Sequence, residues 1–265
     1  MVSISRLLIL LLFLLPAALP GQDNSSNRIQ LDLQKLNTLG SILYVAAHPD
    51  DEILGLGGTL ARHSQAGDEV HCIIMAEGAT SRQGDDGEDS NDELSALKAA
   101  ARNAAADIGM KSPVFANFSD NRMDTSALLD VVQWLENEIK TIVPSIVYTH
   151  HSDDLNLDHQ IVHKAVLTAF RSLPEAGSIP DIYTFETPSS TEWGGVYKSF
   201  EPTHYVNISA TLDIKMRALR HYKMELRDFP HPRSMEAVEA LARWRGAEAA
   251  FHAAEAFGVV RTRWS

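Results

Sequence analysis

Residues 41–52 read SILYVAAHPDDE, and the change of character inside that stretch decides the architecture. SILYVAA (residues 41–47) is a short, unbroken apolar run, as expected of a strand covered on both faces. HPDDE (residues 48–52) follows at once, so an imidazole and three carboxylates stand where that strand ends. The chain then repeats the alternation. Residues 57–66 are expected to form a helix and residues 69–75 (EVHCIIM) a second strand. Residues 92–108 read as an Ala-rich helix capped by Asp92 and ended at Gly109. Residues 113–118 suit a third strand, and residues 126–143 an amphipathic helix with Leu128, Leu129, Val132, Leu135 and Ile139 on one side. A fourth strand at 145–149 (SIVYT) and a helix at 158–171 follow, then strand-like pieces at 181–186 and 204–208. Helices are expected near 212–226 and 235–257, the latter with Leu241, Trp244, Ala249 and Phe251 as a core-packing or subunit-interface helix. This order predicts an α/β fold with a mostly parallel sheet and helices on both faces.

Composition narrows the function classes. The 265 residues are 45% hydrophobic and 22% charged, which excludes a disordered, collagenous or polytopic membrane protein. A net charge of -12, from 23 Lys+Arg against 35 Asp+Glu, argues against nucleic-acid binding, because phosphate backbones repel acidic surfaces. The single cysteine, Cys72, cannot form an internal disulfide and reads as an inert core thiol. Residues 1–21 order a basic Arg6, an apolar run and small residues as a secretory signal does, with an uncleaved anchor or a cytoplasmic enzyme as alternatives. Residues 22–40 form a lead-in, and residues 41–265 are expected to be a single domain, with 83–91 (QGDDGEDSN) a loop.

Two polar clusters carry the chemistry. In open parallel sheets ligands bind outside the carboxyl ends of the strands, where His48, Asp50, Asp51 and Glu52 fall. Imidazole and carboxylate together suit zinc, ferrous iron or another borderline divalent ion. Two adjacent carboxylates cannot point the same way, so one can bind metal while the other faces water. The second cluster, HHSDDLNLDH (residues 150–159), follows the fourth strand and therefore shares the same sheet edge. His159 and His163 lie one helical turn apart on one face, so spacing alone permits either as a ligand. The first turn of a helix leaving that edge lies roughly 6 Å nearer the ion than the next turn, which favours His159.

VAAHPDDEILGLGGTLARH together with HHSDDLNLDHQIVHKAV resembles the PIG-L/LmbE-like metal-dependent de-N-acetylases, in the branch with an HHxxDxNxDH pattern. EGATSR (77–82), ETPSSTEW (186–193) and RWRGAEAAFHAAEAF (243–257) are similar to later blocks of that family. The resemblance implies a Rossmann-like fold with a metal site at the carboxyl edge of the strands. It also implies hydrolysis of an N-acetyl group, usually on an amino sugar. Carried over by position, His48, Asp51 and His159 would bind zinc or another divalent ion, and Asp50 would be the general base. Glu52 and Asp158 would stand behind these residues and orient them. Many members carry a histidine where this chain has Asn156. An amide can donate a hydrogen bond to an oxyanion but supplies no proton. The acid is therefore expected to be His151, with His150 behind it.

Other residues have weaker claims. Gly55-Leu56-Gly57-Gly58-Thr59 lacks the full dinucleotide-binding spacing, so its glycines are expected to allow close packing of the helix. Arg82 is a candidate to hold a substrate hydroxyl or phosphate, and Trp193 to stack on a sugar ring. The expected protein is a zinc-type deacetylase of an N-acetylated sugar or glycoconjugate, exported, and able to form a homo-oligomer. The alternative is a non-catalytic carbohydrate- or metal-binding module on the same fold, favoured by Asn156.

Overall fold

The alternation of apolar runs and amphipathic segments assembles into one seven-stranded sheet. The computed structural model describes residues 40–76, 89–171, 179–195 and 198–263, all within a compact unit that spans Thr38–Ser265. The first half of the chain forms β1 (Ser41–Ala46), α1 (Asp51–Ala66), β2 (Glu69–Ala76), α2 (Asp89–Ile108), β3 (Val114–Phe118), α3 (Leu128–Glu138) and β4 (Ile146–His150). The second half forms α4 (Leu157–Ala169), β5 (Asp181–Phe185), β6 (His204–Asn207), α5 (Leu212–Leu219), α6 (Met235–Glu248) and β7 (Ala254–Arg261). The strand order is β3-β2-β1-β4-β5-β7-β6. β1 through β5 run parallel, whereas β7 is antiparallel to both β5 and β6. No helix among the described residues is long and apolar enough to cross a membrane.

Alternation along β1 explains why both faces are covered. Ile42, Tyr44 and Ala46 point into a core shared with α1, α2, α5 and α6. Leu43, Val45 and Ala47 point into a second core built with α3 and α4. The chain winds outward from β1 to β3, then returns to place β4 on the other side of β1. Strand order therefore reverses between β1 and β4, where open α/β sheets form their ligand crevice.

The structure corrects several boundaries. α1 begins at Asp51, six residues before the expected start, because Asp50 turns the chain in a left-handed conformation (φ 114). Leu56 (φ -149) then kinks the helix, and the segment after the kink is the one legible in the sequence. Gly55 and Gly58 sit at close approaches, where an added Cβ would strike the Phe185 ring and the Ile208 side chain. α2 starts at Asp89 rather than Asp92, so the last part of the expected 83–91 loop is helical. The 235–257 helix ends at Glu248; residues 249–253 turn, and the rest of its expected length, from Ala254, belongs to β7. Ala250, at φ 58, turns the chain out of helical geometry, and Trp244 and Phe251 are exposed rather than packed in the core. Arg82 and residues 1–21 lie outside the described residues.

Candidate metal centre

Three strand ends converge on the crevice. After β1 the chain passes through His48 and Asp50 into the first turn of α1, which carries Asp51 and Glu52. β3 leads to Asp120 and Asn121. β4 ends on His150, and α4 begins after Asn156, whose side chain accepts the Asp158 N–H at 2.8 Å. That cap places Asp158 and His159 in the first helical turn.

His48, Asp51 and His159 meet at the centre. His48 Nδ1 and His159 Nε2 each lie 3.4 Å from Asp51 Oδ2 and 3.3 Å from one another. A tetrahedral ion holding N and O ligands at 2.0–2.2 Å requires ligand separations of about 3.4 Å. Asp51 Oδ1 is buried without a hydrogen-bond partner, although buried polar atoms are almost always paired. The donor set, its spacing and the unpartnered oxygen all fit a divalent cation.

Each imidazole is oriented from behind. His48 Nε2 donates to Asp158 Oδ2 at 3.1 Å, and Asp158 also accepts the backbone N–H groups of Asn121 and Met123. Asp120 Oδ1 lies 3.3 Å from the same ring nitrogen. His159 Nδ1 faces Asp154 Oδ1 at 3.1 Å, while Asp154 accepts from Ser190 Oγ, Thr191 Oγ1 and the Asn156 N–H. Carboxylates in these positions set the tautomer that turns the other ring nitrogen toward a metal. Burial alone would lower His48, but the Asp158 and Asp51 carboxylates raise it to about 10. Asp154 resists the upward push of burial and falls to about 2, through His159 and the two hydroxyls. Asp154 is the first D of the HHxxDxNxDH pattern, but the sequence alone assigns it no role; its place three residues before a capped helix start is the available signal.

Asp50 and Glu52 flank the centre on different partners. Arg233 Nη1 donates to Asp50 Oδ2 at 3.1 Å, and its Nε donates to Ser189 Oγ at 2.7 Å. Arg233 lies 183 residues from Asp50, so no local pattern pointed to it. Burial drives Asp50 well above the usual carboxylate range, opposed by the Arg233 cation and helped by Asp51. Glu52 accepts the Tyr222 hydroxyl and the Asp50 N–H, and burial pushes it to about 7.

The remaining candidates divide. His150 packs against His159, with ring centroids 3.8 Å apart, but its Nε2 accepts the Ala47 N–H at 2.9 Å. Burial and His159 hold it well below the usual histidine range. His151 is not brought to the cluster. The next residue after β4 turns the other way, and its Nε2 donates to the Lys198 carbonyl at 2.8 Å, with its ring edge-on to Phe200. His163 Nδ1 donates to the His150 carbonyl at 2.8 Å, behind the centre. Both oxygen and nitrogen of the Asn156 side chain are engaged, the former with Asp158 N–H and the latter with Asn121 Oδ1. Trp193 is 69% exposed on the 3-10 turn Thr191–Trp193.

Fold and site together define an α/β protein with a His-Asp-His donor set that fits a divalent cation at the sheet's switch point. The chain belongs to the PIG-L family: residues 43–170 match its family model, described as GlcNAc-PI de-N-acetylase, and a curated relative is 32% identical. That relative is the uncharacterized deacetylase YaiS of Escherichia coli (strain K12), aligned over 197 residues, 72% of this chain and 95% of that protein. The diacetylchitobiose deacetylase of Thermococcus kodakarensis is 25% identical over 199 residues, 72% of each chain. Among solved structures, the N,N'-diacetylchitobiose deacetylase from Pyrococcus horikoshii superposes with a TM-score of 0.68 at 18% identity, over 91% of this chain and 95% of that one. GalB, the 4-carboxy-2-hydroxymuconate hydratase from Pseudomonas putida KT2440, superposes with a TM-score of 0.71 at 23% identity, over 86% and 98%. A hydratase and a deacetylase thus share this fold, so the structural likeness speaks for architecture alone.

Proposed function

We propose that the chain is a divalent-metal-dependent hydrolase that removes acetyl from an N-acetylated amino sugar or glycoconjugate, releasing acetate and a free amine. The observation that carries this reading is the open His48/Asp51/His159 donor set with the Asp50 carboxylate beside it. His48, Asp51 and His159 would hold the ion, zinc being the best match to two imidazoles and one carboxylate. Such an ion, when bound, polarises an amide carbonyl and acidifies a water molecule. Asp50 takes the proton of the attacking water, and Arg233 keeps that carboxylate aimed while opposing the upward push of burial on it. His150 Nε2 is occupied by Ala47 N–H and His151 faces away, so Asp50 also returns the proton to the leaving amine nitrogen. Asn156 acts by holding the first turn of α4, and with it His159, in place.

Metal analysis of the purified chain, followed by acetate release from N-acetylglucosamine and N,N'-diacetylchitobiose, tests the proposal. Bound metal without acetate release from any N-acetylated sugar would favour the non-catalytic binding module. We further propose, from the pattern of residues 1–21, that the protein is exported. Cell fractionation with amino-terminal sequencing of the mature protein would overturn this if the intact chain stays in the cytoplasm.

A further inference from the structure

A cavity of about 540 Å³ lies at the other end of α1 from the His-Asp centre. Thr59, Arg62 and His63 line it from the last turns of α1, and Tyr148, Tyr183 and His204 from the sheet. At 1.5 Å per residue, those helical positions lie roughly 12–18 Å from Asp51 along the axis. The cavity is therefore separate from the reaction centre. Its volume is in the range of small-ligand sites, roughly 300–1,000 Å³.

The floor is aromatic because the strand register makes it so. Tyr148 and Tyr183 stand abreast on β4 and β5, and both line the cavity. Tyr148 and Tyr183 stack with ring centroids 5.7 Å apart, and His204 of β6 lies on Tyr183 at 4.9 Å. Polar groups converge above this floor. Asp68 Oδ2 accepts from His63 Nδ1 at 2.6 Å, which leaves His63 Nε2 to accept the Tyr148 hydroxyl at 3.0 Å. The phenol oxygen of Tyr148 keeps a lone pair for a further donor. Arg62 commits Nη1 to the Asn207 carbonyl at 2.6 Å and keeps its other donors. Thr59, 1% exposed, has a buried hydroxyl with no partner at the cavity wall. Among the described residues no carboxylate lines the cavity, although the chain carries a net charge of -12.

We propose that this cavity is a second, non-catalytic binding site for a hexose or hexosamine ring. His204, Tyr205 and Phe251, the less buried rings of the lining, offer faces to the apolar C–H side of a sugar, while Tyr148, Thr59 and Arg62 provide an acceptor, a hydroxyl and a donor for its rim. The absence of lining carboxylates disfavours a cation. The ligand class comes from the cavity itself and stands apart from the deacetylase reading.

The test uses the full chain in three forms: unaltered, His204→Ala and Thr59→Val. Thr59→Val keeps the N–H that binds Glu255 and removes an unpartnered hydroxyl, so it leaves folding intact. Each form is titrated with N-acetylglucosamine and glucosamine by calorimetry and ligand-observed NMR, and acetate release is measured in parallel. The expected result is two classes of saccharide site in the unaltered chain. In both variants one class weakens at least tenfold, with kcat on N-acetylglucosamine unchanged. One class of site with equal affinity in all three forms overturns the proposal, as does a parallel fall of binding and kcat. A change in oligomeric state on His204→Ala, with saccharide binding unaltered, assigns the cavity to a second copy of the chain and also overturns it. His204-dependent binding in a chain that releases no acetate would sink the deacetylase reading and leave this site standing.

Discussion

Helix α1 carries two buried ionic clusters, one at its start and one at its kink, and they are built in opposite ways. At the kink, Lys215 Nζ donates to the Leu54 carbonyl at 2.9 Å and to Glu255 Oε1 at 2.7 Å. Glu255 also accepts the N–H groups of Gly58 and Thr59 at 3.0 and 2.6 Å. The break at Leu56 frees these backbone groups, and one ion pair satisfies them. Charge is balanced there and the groups close on one another. At the helix start, Asp50, Asp51 and Glu52 gather beside Asp120, Asp154 and Asp158, with Arg233 as their guanidinium partner. Asp51 Oδ1 is left without any partner. A balanced, satisfied pair locks a helix; an anionic cluster with an unpartnered oxygen is shaped for a cation.

The largest expected effect breaks the open cluster at its chemistry. Asp50→Asn should keep bound metal and lower acetate release by about 10²–10⁴-fold, the usual worth of a general base; wild-type turnover in that variant removes Asp50 from the role. His159→Ala should lose most of the metal, while His163→Ala retains it and mainly loses stability. Equal metal loss in both, read by elemental analysis after dialysis, would overturn the ligand set.

The closed pair comes next, in stability rather than activity. Glu255→Gln leaves the buried Lys215 ammonium without its counter-charge and turns an amide NH2 toward a backbone N–H that Glu255 now accepts, and it should cost about 3–5 kcal/mol. Lys215→Met should cost less, because Glu255 keeps two backbone donors. Denaturant titration ranks them, and the reverse order would refute this account of the kink.

Asp154→Asn sharpens the comparison from the supporting side. It weakens the carboxylate behind His159 without touching a ligand, and metal affinity should fall about 10–100-fold by chelator competition. Unchanged affinity would make Asp154 only a loop anchor. The smallest effect belongs to exposed Trp193: Trp193→Ala should raise KM a few-fold and leave kcat unchanged, and a fall in kcat would place it within the reaction centre.

Legibility in the sequence followed the range of the interactions involved. SILYVAA and SIVYT announced buried strands because a doubly covered strand must be apolar at every position. HPDDE and the DH of residues 158–159 stood at strand and helix ends, where a short local pattern already fixes which side chains reach the sheet edge. The stretch 249–257 (AAFHAAEAF) misled because alanine favours helix intrinsically. Pairing with β5 and β6 overrode that preference, a contact between segments up to about 80 residues apart. The start of α1 was missed for a related reason. Asp50 adopts a left-handed turn that few non-glycine residues accept, and buried partners over-determine it.

By itself the amino-acid order determined the class of fold, the shared edge for both motifs and the preference for His159 over His163. Each depends on spacing along one element. Only the tertiary structure decided that His150 and His151 face opposite ways and that Asp154 orients His159. It alone brought Arg233 to Asp50 and Glu255 to the kink of α1. Those contacts join residues whose separation in the chain carries no signal, because the packing of two helical layers on one sheet, and not local periodicity, sets them side by side.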